Sequence, residues 1–433
     1  MVAMPVALAE DTITLRLDDG APAKVVQPTR IEPPPQAEPT ATPCAPMLGI
    51  QPNVKAACAV LIDSNSGQIL YGKNEHARRP NASTTKIMTA ILLIERCDMA
   101  DTITVSKNAC LTPFTSLNLK PGEKISVKDL LTGMMVRSAN DAAVAAAEHI
   151  SGSVSAFSKL MNQKAVEIGC KDTHFVTPNG LYNANHYSSA YDLALMARYA
   201  LRYPMFNEAV NTRKYTLATR TINKKDMVVF NKSKFLKNYV GADGVKSGYV
   251  KQAGYCYVGS ATRCGWRLIS AVLKSDNASR DTEAVMDYGF ATFKPVTLAR
   301  TSDGFRRAPI RGGTEDVIVA VPTRDLRVAV SRSGGSVTTR VKLIDVEAPI
   351  AKGAGLGTIT AVVNGADVAS VGLCASKEVG VSLARRATWW LKTCSVLTLC
   401  VVVGSKYGTA FTKNTRRRRR RVTASLRNFD RYR

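Results

Sequence analysis

The stretch from Pro80 to Ile94 constrains this chain most, because it puts a lysine at the head of a helix with almost no polar face. Ile87, Ile91 and Ile94 recur at helical spacing, with Ala90 and Leu93 between them. A helix apolar on every side belongs inside a core. Pro80 and Asn81 are start signals, so Ser83 is expected in the first helical turn. Ser83 and Lys86 are then neighbours on one face, roughly 5–6 Å apart at Cβ. A serine hydroxyl becomes a nucleophile when a base takes its proton. Lysine can be that base where burial or a second cation lowers its pKa. The helix start adds N–H groups and the positive end of the dipole, where an oxyanion could sit. Taken alone, Ser-x-x-Lys is equally well served by a capping serine and a solvated lysine.

A chain of 433 residues has room for two or three domains. Residues 1–9 are apolar and end in Ala7-Leu8-Ala9, and are read as the remnant of a secretory signal. Residues 10–50, with Pro33-Pro34-Pro35, are read as an extended linker. Residues 51–293 show strands at both ends with helices between: Cys58 to Ile62 and Gln68 to Tyr71 first, then helices at Val127–Met135, Ala142–Ile150, Val154–Ile168 and Tyr191–Tyr203. A hairpin, Gly254 to Ala261 and Trp266 to Leu273, closes this part. From 294 to 376 short β-like runs alternate with turns, and Asn364-Gly365 marks a tight hairpin. The expected fold is an α/β sheet sandwiched by helices, with a second small all-β domain.

The net charge of +25 is partly local, since Arg416 to Arg421 form an unbroken run. That run follows the apolar segment Trp389 to Val403, so the basic residues read as a membrane flank and nucleic acid is not the expected partner. Residues 385–408 are expected to form a membrane-anchor helix, with Lys392 and Lys406 snorkelling, and 409–433 a basic cytoplasmic tail. Ten scattered cysteines and four histidines supply no Cys-x-x-Cys or His-x-x-x-His spacing, so no metal site is expected.

Two further motifs supply what the Ser83–Lys86 pair lacks. In Ser138-Ala139-Asn140, a second hydroxyl could relay a proton, and the Asn140 amide could hold a peptide group with one donor and one acceptor. In Lys246-Ser247-Gly248, a second cation would depress the pKa of Lys86 and attract an anionic substrate end. Separately, Asn140 is as plausible an N-cap, and Lys246 a solvated strand residue. Their order along the chain, with the last on a strand before a hairpin, makes the joint pattern informative.

Taken together these motifs resemble the low-molecular-mass penicillin-binding proteins, the serine-type D-alanyl-D-alanine carboxypeptidases. The similarity extends through His174-Phe175-Val176-Thr177-Pro178-Asn179-Gly180-Leu181, through His186 to Leu193, and through Ala253-Gly254-Tyr255-Cys256. Ser247 stands where threonine is usual, and Asn179 where histidine is frequent. The resemblance implies a penicillin-binding/β-lactamase-like fold, no cofactor, and peptidoglycan stem peptides as substrate, with β-lactams as covalent inhibitors. It implies Ser83 as nucleophile, Lys86 as base and Ser138 as proton relay. Asn140, Lys246, Ser247 and Gly248 would bind substrate, and the N–H groups of Ser83 and Tyr249 would form the oxyanion hole. It places the catalytic domain on the outer face of a bacterial membrane. A DD-endopeptidase, a β-lactamase and a catalytically weak, membrane-tethered wall-binding protein are the alternatives. No Glu-x-x-Leu-Asn occurs between Asn140 and Lys246 to serve a lactamase.

Overall fold

A computed structural model of the chain describes residues 11–15 and 51–383, with 387 and 395. The signal remnant, nearly all of the linker, and the anchor and tail save those two positions lie outside the described residues. Among the described residues no helix is long and apolar enough to cross a membrane.

The first domain is organised by a five-stranded antiparallel sheet in the order Ile69–Lys73, Cys58–Asp63, Trp266–Ser275, Gly254–Arg263, Ala242–Val250. Cys58–Asp63 is buried along its whole length, which explains why it reads as an apolar run rather than an alternation. Cys58, Val60 and Ile62 face one core, and Ala59 and Leu61 face the other. On the first side lie helices Lys86–Arg96 and Ala190–Ala200, which contribute Ile87, Met88, Ile91 and Leu193. On the second lies helix Ala278–Thr292, with Val285, Met286 and Phe290. Helices Val127–Arg137, Asn140–Ser151 and Val154–Ile168 complete the first side. Among the described residues the edge strand Ala242–Val250 has sheet hydrogen bonds only to Gly254–Arg263, and its other flank faces a cleft.

Helix Ala278–Thr292 passes directly into strand Phe293–Ala299, the first of the all-β domain. That strand pairs with Leu326–Ser331, while the main sheet is built on Val337–Leu343, Gly355–Val363, Ala366–Ala375, Val317–Pro322 and Arg306–Arg311. Leu356, Ile359, Val371 and Leu373 help fill a separate core. Asn364 and Gly365 both take positive φ, 51° and 81°, as a two-residue hairpin of the Asn-Gly type requires. The last backbone bridge joins Gly313 to Val381, a few residues past the expected limit. Ala329 also packs in the core behind the catalytic sheet, and its N–H donates to Gln68 Oε1 at 3.1 Å. Asp11–Leu15, within the segment 10–50 expected to be an extended linker, is a strand pairing antiparallel with Val337–Val341.

Candidate active site

The Ser83 segment differs from the sequence expectation in one respect. Ser83 is not in the first turn of the α-helix but in a 3-10 turn, Ala82–Thr85, and the α-helix begins at Lys86. The side chains of this stretch account for it. Thr84 Oγ1 donates to Asn81 O at 2.6 Å and Thr85 Oγ1 to Ala82 O at 2.8 Å, while Asn81 Nδ2 donates to both threonine hydroxyls. Such local bonds satisfy carbonyls three residues back and favour the tighter turn. Ala82 adopts a positive φ of 47°, a strained conformation for a residue with a Cβ.

Lys86 is fully buried at the head of its helix. Its Nζ lies 2.9 Å from Ser83 Oγ, 2.7 Å from Asn140 Oδ1 and 2.8 Å from the Asn179 carbonyl. Asn140 Nδ2 donates to the Pro113 carbonyl at 2.9 Å, which fixes Oδ1 toward the lysine. Both oxygens facing Nζ can therefore only accept. A neutral amine has two N–H groups and one lone pair. In that state Lys86 would give its hydrogens to Asn140 and Asn179 and turn its lone pair to the Ser83 hydroxyl, an arrangement suited to a base. Burial, then the Lys246 charge, hold the Lys86 pKa well below the ordinary lysine value, against an opposing pull from Asp141.

The Ser138–Asn140 motif is the break between two helices. Ser138 ends Val127–Arg137 in the left-handed region, at φ 66° and ψ 35°, and Asn140 opens the next helix behind Ala139. Asp141 fastens the neighbouring loop, accepting from the N–H groups of Leu117 and Leu119. The amide of Asn140, expected to be free for a peptide group, is already held on both sides by Lys86 and Pro113. What remains is the second hydrogen of Nδ2.

On the facing wall, Lys246 is buried at 4% exposure, and burial pushes its pKa down to about 7. Its Nζ donates to the Ser247 carbonyl at 3.0 Å, and the Ser247 side chain is exposed. Gly248 is required by contact: a Cβ there would stand 2.8 Å from the Ser83 nitrogen and 3.2 Å from that of Thr84. Only glycine lets this strand press against the nucleophile turn. The Tyr249 ring is exposed and lies 4.6 Å from that of Tyr255. Ser83, Ser138, Asn140 and Lys246 to Tyr249 all line one cleft of about 1360 Å³, with Lys86 beneath Ser83.

Three groups here were given no role in the sequence reading. The Asn179 carbonyl is delivered by a loop in which Gly180 has φ 83°, and a Cβ on Gly180 would meet Ala82 O at 1.9 Å. Asp141 is the loop fastener described above. His186 is buried, and its Nδ1 accepts from the N–H groups of Val176 and Thr177 at 3.0 and 3.3 Å. The proton therefore sits on Nε2, which donates to Thr85 Oγ1 at 2.8 Å. Burial lowers the His186 pKa to about 4, which keeps the ring neutral. No signal in the sequence distinguishes such a histidine from a core residue. Among the described residues no group of three His, Cys, Asp or Glu is placed to hold a metal ion.

A serine facing a buried lysine, with a Ser-x-Asn wall and a Lys-Ser-Gly strand across the cleft, defines a penicillin-recognising serine hydrolase. Residues 46–277 match the family described as D-alanyl-D-alanine carboxypeptidase, and 293–381 match the C-terminal domain of penicillin-binding protein 5. The D-alanyl-D-alanine carboxypeptidase DacF of Bacillus subtilis is 34% identical over 336 residues, 75% of this chain and 86% of that protein. Penicillin binding protein 5 from Haemophilus influenzae superposes with a TM-score of 0.65 at 30% identity, covering 77% of this chain and 99% of that one. The Streptomyces K15 DD-transpeptidase, at TM-score 0.53 and 32% identity, matches 56% of this chain and all of that one. The chain belongs to the D-alanyl-D-alanine carboxypeptidase family.

Proposed function

We propose that the protein removes the terminal D-alanine from peptidoglycan stem peptides through an acyl-enzyme on Ser83. The Ser83 hydroxyl attacks the carbonyl of the penultimate D-alanine as its proton passes to Lys86 Nζ. The N–H groups of Ser83 and Tyr249 receive the oxyanion. The proton moves from Lys86 through Ser138 to the nitrogen of the departing D-alanine, and the C–N bond breaks. Lys86, neutral again, takes a proton from water, which hydrolyses the ester. Lys246 and Ser247 hold the carboxylate of the leaving residue, Gly248 lets that strand approach, and Asn140 offers its remaining hydrogen to the acyl part. Penicillin, which carries a carboxylate beside its lactam, acylates the same serine.

The three-way bonding of Lys86 carries this reading, because it leaves a lone pair on the serine and nowhere else. A lactamase would need a carboxylate base for the deacylating water. Among the residues lining the cleft the one acid is Asp276, and none is glutamate. Release of D-alanine from a defined pentapeptide is the direct test, and cleavage of cross-linked dimers without such release would favour an endopeptidase.

The two lysines also set the pH dependence. kcat/KM is expected to rise with pH as Lys86 empties, and to fall again as Lys246, at about 7 in the free protein, loses its charge. A substrate whose terminal carboxylate is masked as a methyl ester should lose the falling limb. A falling limb of the same size with the ester would remove Lys246 from carboxylate binding.

The segment 385–408 and its basic flank support attachment to a bacterial membrane with the catalytic domain outside. Deleting 385–433 is expected to move the protein from the membrane fraction to the soluble fraction. Retention on the membrane would place the attachment elsewhere.

A further inference from the structure

Beside the catalytic cleft lies a side chamber of about 170 Å³ whose lining shares Ser116, Asn118, Arg137 and Lys232 with the main cleft. Its remaining walls include the apolar side chains of Val228, Val229 and Phe230. Arg137 is half-buried at the end of the helix that delivers Ser138, the very next residue. Among the described residues neither the Arg137 guanidinium nor the Lys232 ammonium makes a hydrogen bond or an ion pair. A half-buried arginine without a partner is uncommon, because its charge has lost part of its water and gained nothing in return. The acid in the chamber, Asp226, has one carboxylate oxygen bound by the side-chain amides of Asn118 and Asn223, each at 3.0 Å. The chamber thus carries two cations against one anion that is already hydrogen-bonded.

We propose that this chamber is a subsite for a carboxylate on a side chain of the stem peptide upstream of the scissile bond, read by Arg137 and Lys232. The proposal rests on the carboxypeptidase reading. In that reading the leaving D-alanine ends at its own carboxylate, held by Lys246 and Ser247, so nothing of it is left to extend further. Only the acyl part continues, and whatever fills an offshoot of the cleft beside Ser138 comes from there. A guanidinium presents a fork of N–H groups suited to a carboxylate, and the apolar walls suit the methylenes of its stem.

The test uses the full-length protein and two peptides ending in D-Ala-D-Ala. They differ only in whether the upstream side chain carries a free carboxylate or the corresponding primary amide. The unmodified protein is expected to favour the carboxylate by about tenfold in kcat/KM, the scale of one charged hydrogen bond. The preference should shrink as salt is added. Arg137→Gln combined with Lys232→Gln should bring the ratio close to one. The same variant should release D-alanine from N-acetyl-D-Ala-D-Ala, which has no residue before the penultimate D-alanine, as the unmodified protein does. Equal rates for the two peptides with the unmodified protein, or a preference that survives both substitutions, would overturn the subsite. Lys232→Gln alone, at an exposed position, gives a folded variant in which a partial loss of preference is expected and an unchanged ratio counts against the proposal. Absence of D-alanine release from both longer peptides would instead overturn the carboxypeptidase reading. The affinity of both peptides for the Ser83→Ala protein, measured by calorimetry, then decides the subsite without any turnover.

Discussion

Ser83→Ala is expected to abolish covalent labelling by penicillin and to lower D-alanine release by on the order of a millionfold, the scale on which nucleophile removal acts in serine hydrolases. The fold should be unaffected. Ser83 is half-buried, and the 3-10 turn around it is held by Asn81, Thr84 and Thr85 rather than by the serine hydroxyl. The melting temperature should therefore stay near that of the unmodified protein, and reversible binding of penicillin should survive. Mass spectrometry of the intact protein after exposure to penicillin is the cleanest measurement. A penicilloyl adduct on the Ser83→Ala protein would move the nucleophile elsewhere and dismantle the mechanism.

Lys86→Ala is expected to slow acylation by penicillin by about 10²–10⁴-fold, the range assigned to a general base. Reversible affinity should change far less, because Lys246 and Ser247 remain to hold the carboxylate. The rate alone does not separate a base from a structural brace, since Lys86 also satisfies Asn140 Oδ1 and the Asn179 carbonyl. The pH profile does. Without Lys86 the residual acylation should lose its rising limb, whereas a purely structural loss would scale the whole profile down and leave its shape. Acylation at the normal rate near neutral pH would refute the base assignment outright.

Much of the site can be read from the chain, because catalysis there uses side chains whose types recur in short motifs. Ser83, Ser138 with Asn140, and Lys246 to Gly248 are separated by tens of residues yet line a single cleft, with Lys86 buried beneath Ser83. What the motifs do not reveal is how those side chains are occupied. Asn140 looks free in the sequence and is tied on both sides in the structure, since Pro113 and Lys86 come to it from distant segments. The 3-10 turn at Ala82–Thr85 depends on hydroxyl bonds that helix periodicity does not register. Asn179 acts through its backbone carbonyl, which leaves little trace in residue type, and the His186 ring works on backbone N–H groups and a hydroxyl brought to it from other segments. Helix Ala278–Thr292 carries its buried stripe through Thr282, Val285, Met286, Gly289 and Phe290, a weak pattern because glycine disfavours helix. The reason for that glycine lies across the interface: a Cβ on Gly289 would stand 2.4 Å from Leu61 Cδ2 and 2.7 Å from Leu268 Cδ1. Residue spacing changes from helical to alternating near residue 294, and the strand Phe293–Ala299 begins there.

Helix Ala278–Thr292 becomes strand Phe293–Ala299 with no residue between them, and the Ala329–Gln68 bond ties the same junction from the side. Such a joint has little freedom to swivel. Wherever the far end of the second domain is fastened, the mouth of the enzyme is carried at a set height and heading, like a tool on a rigid handle. The reach of the enzyme across its surroundings would then be governed by the length of that handle and by the slack at its fastening, and not by bending in the middle.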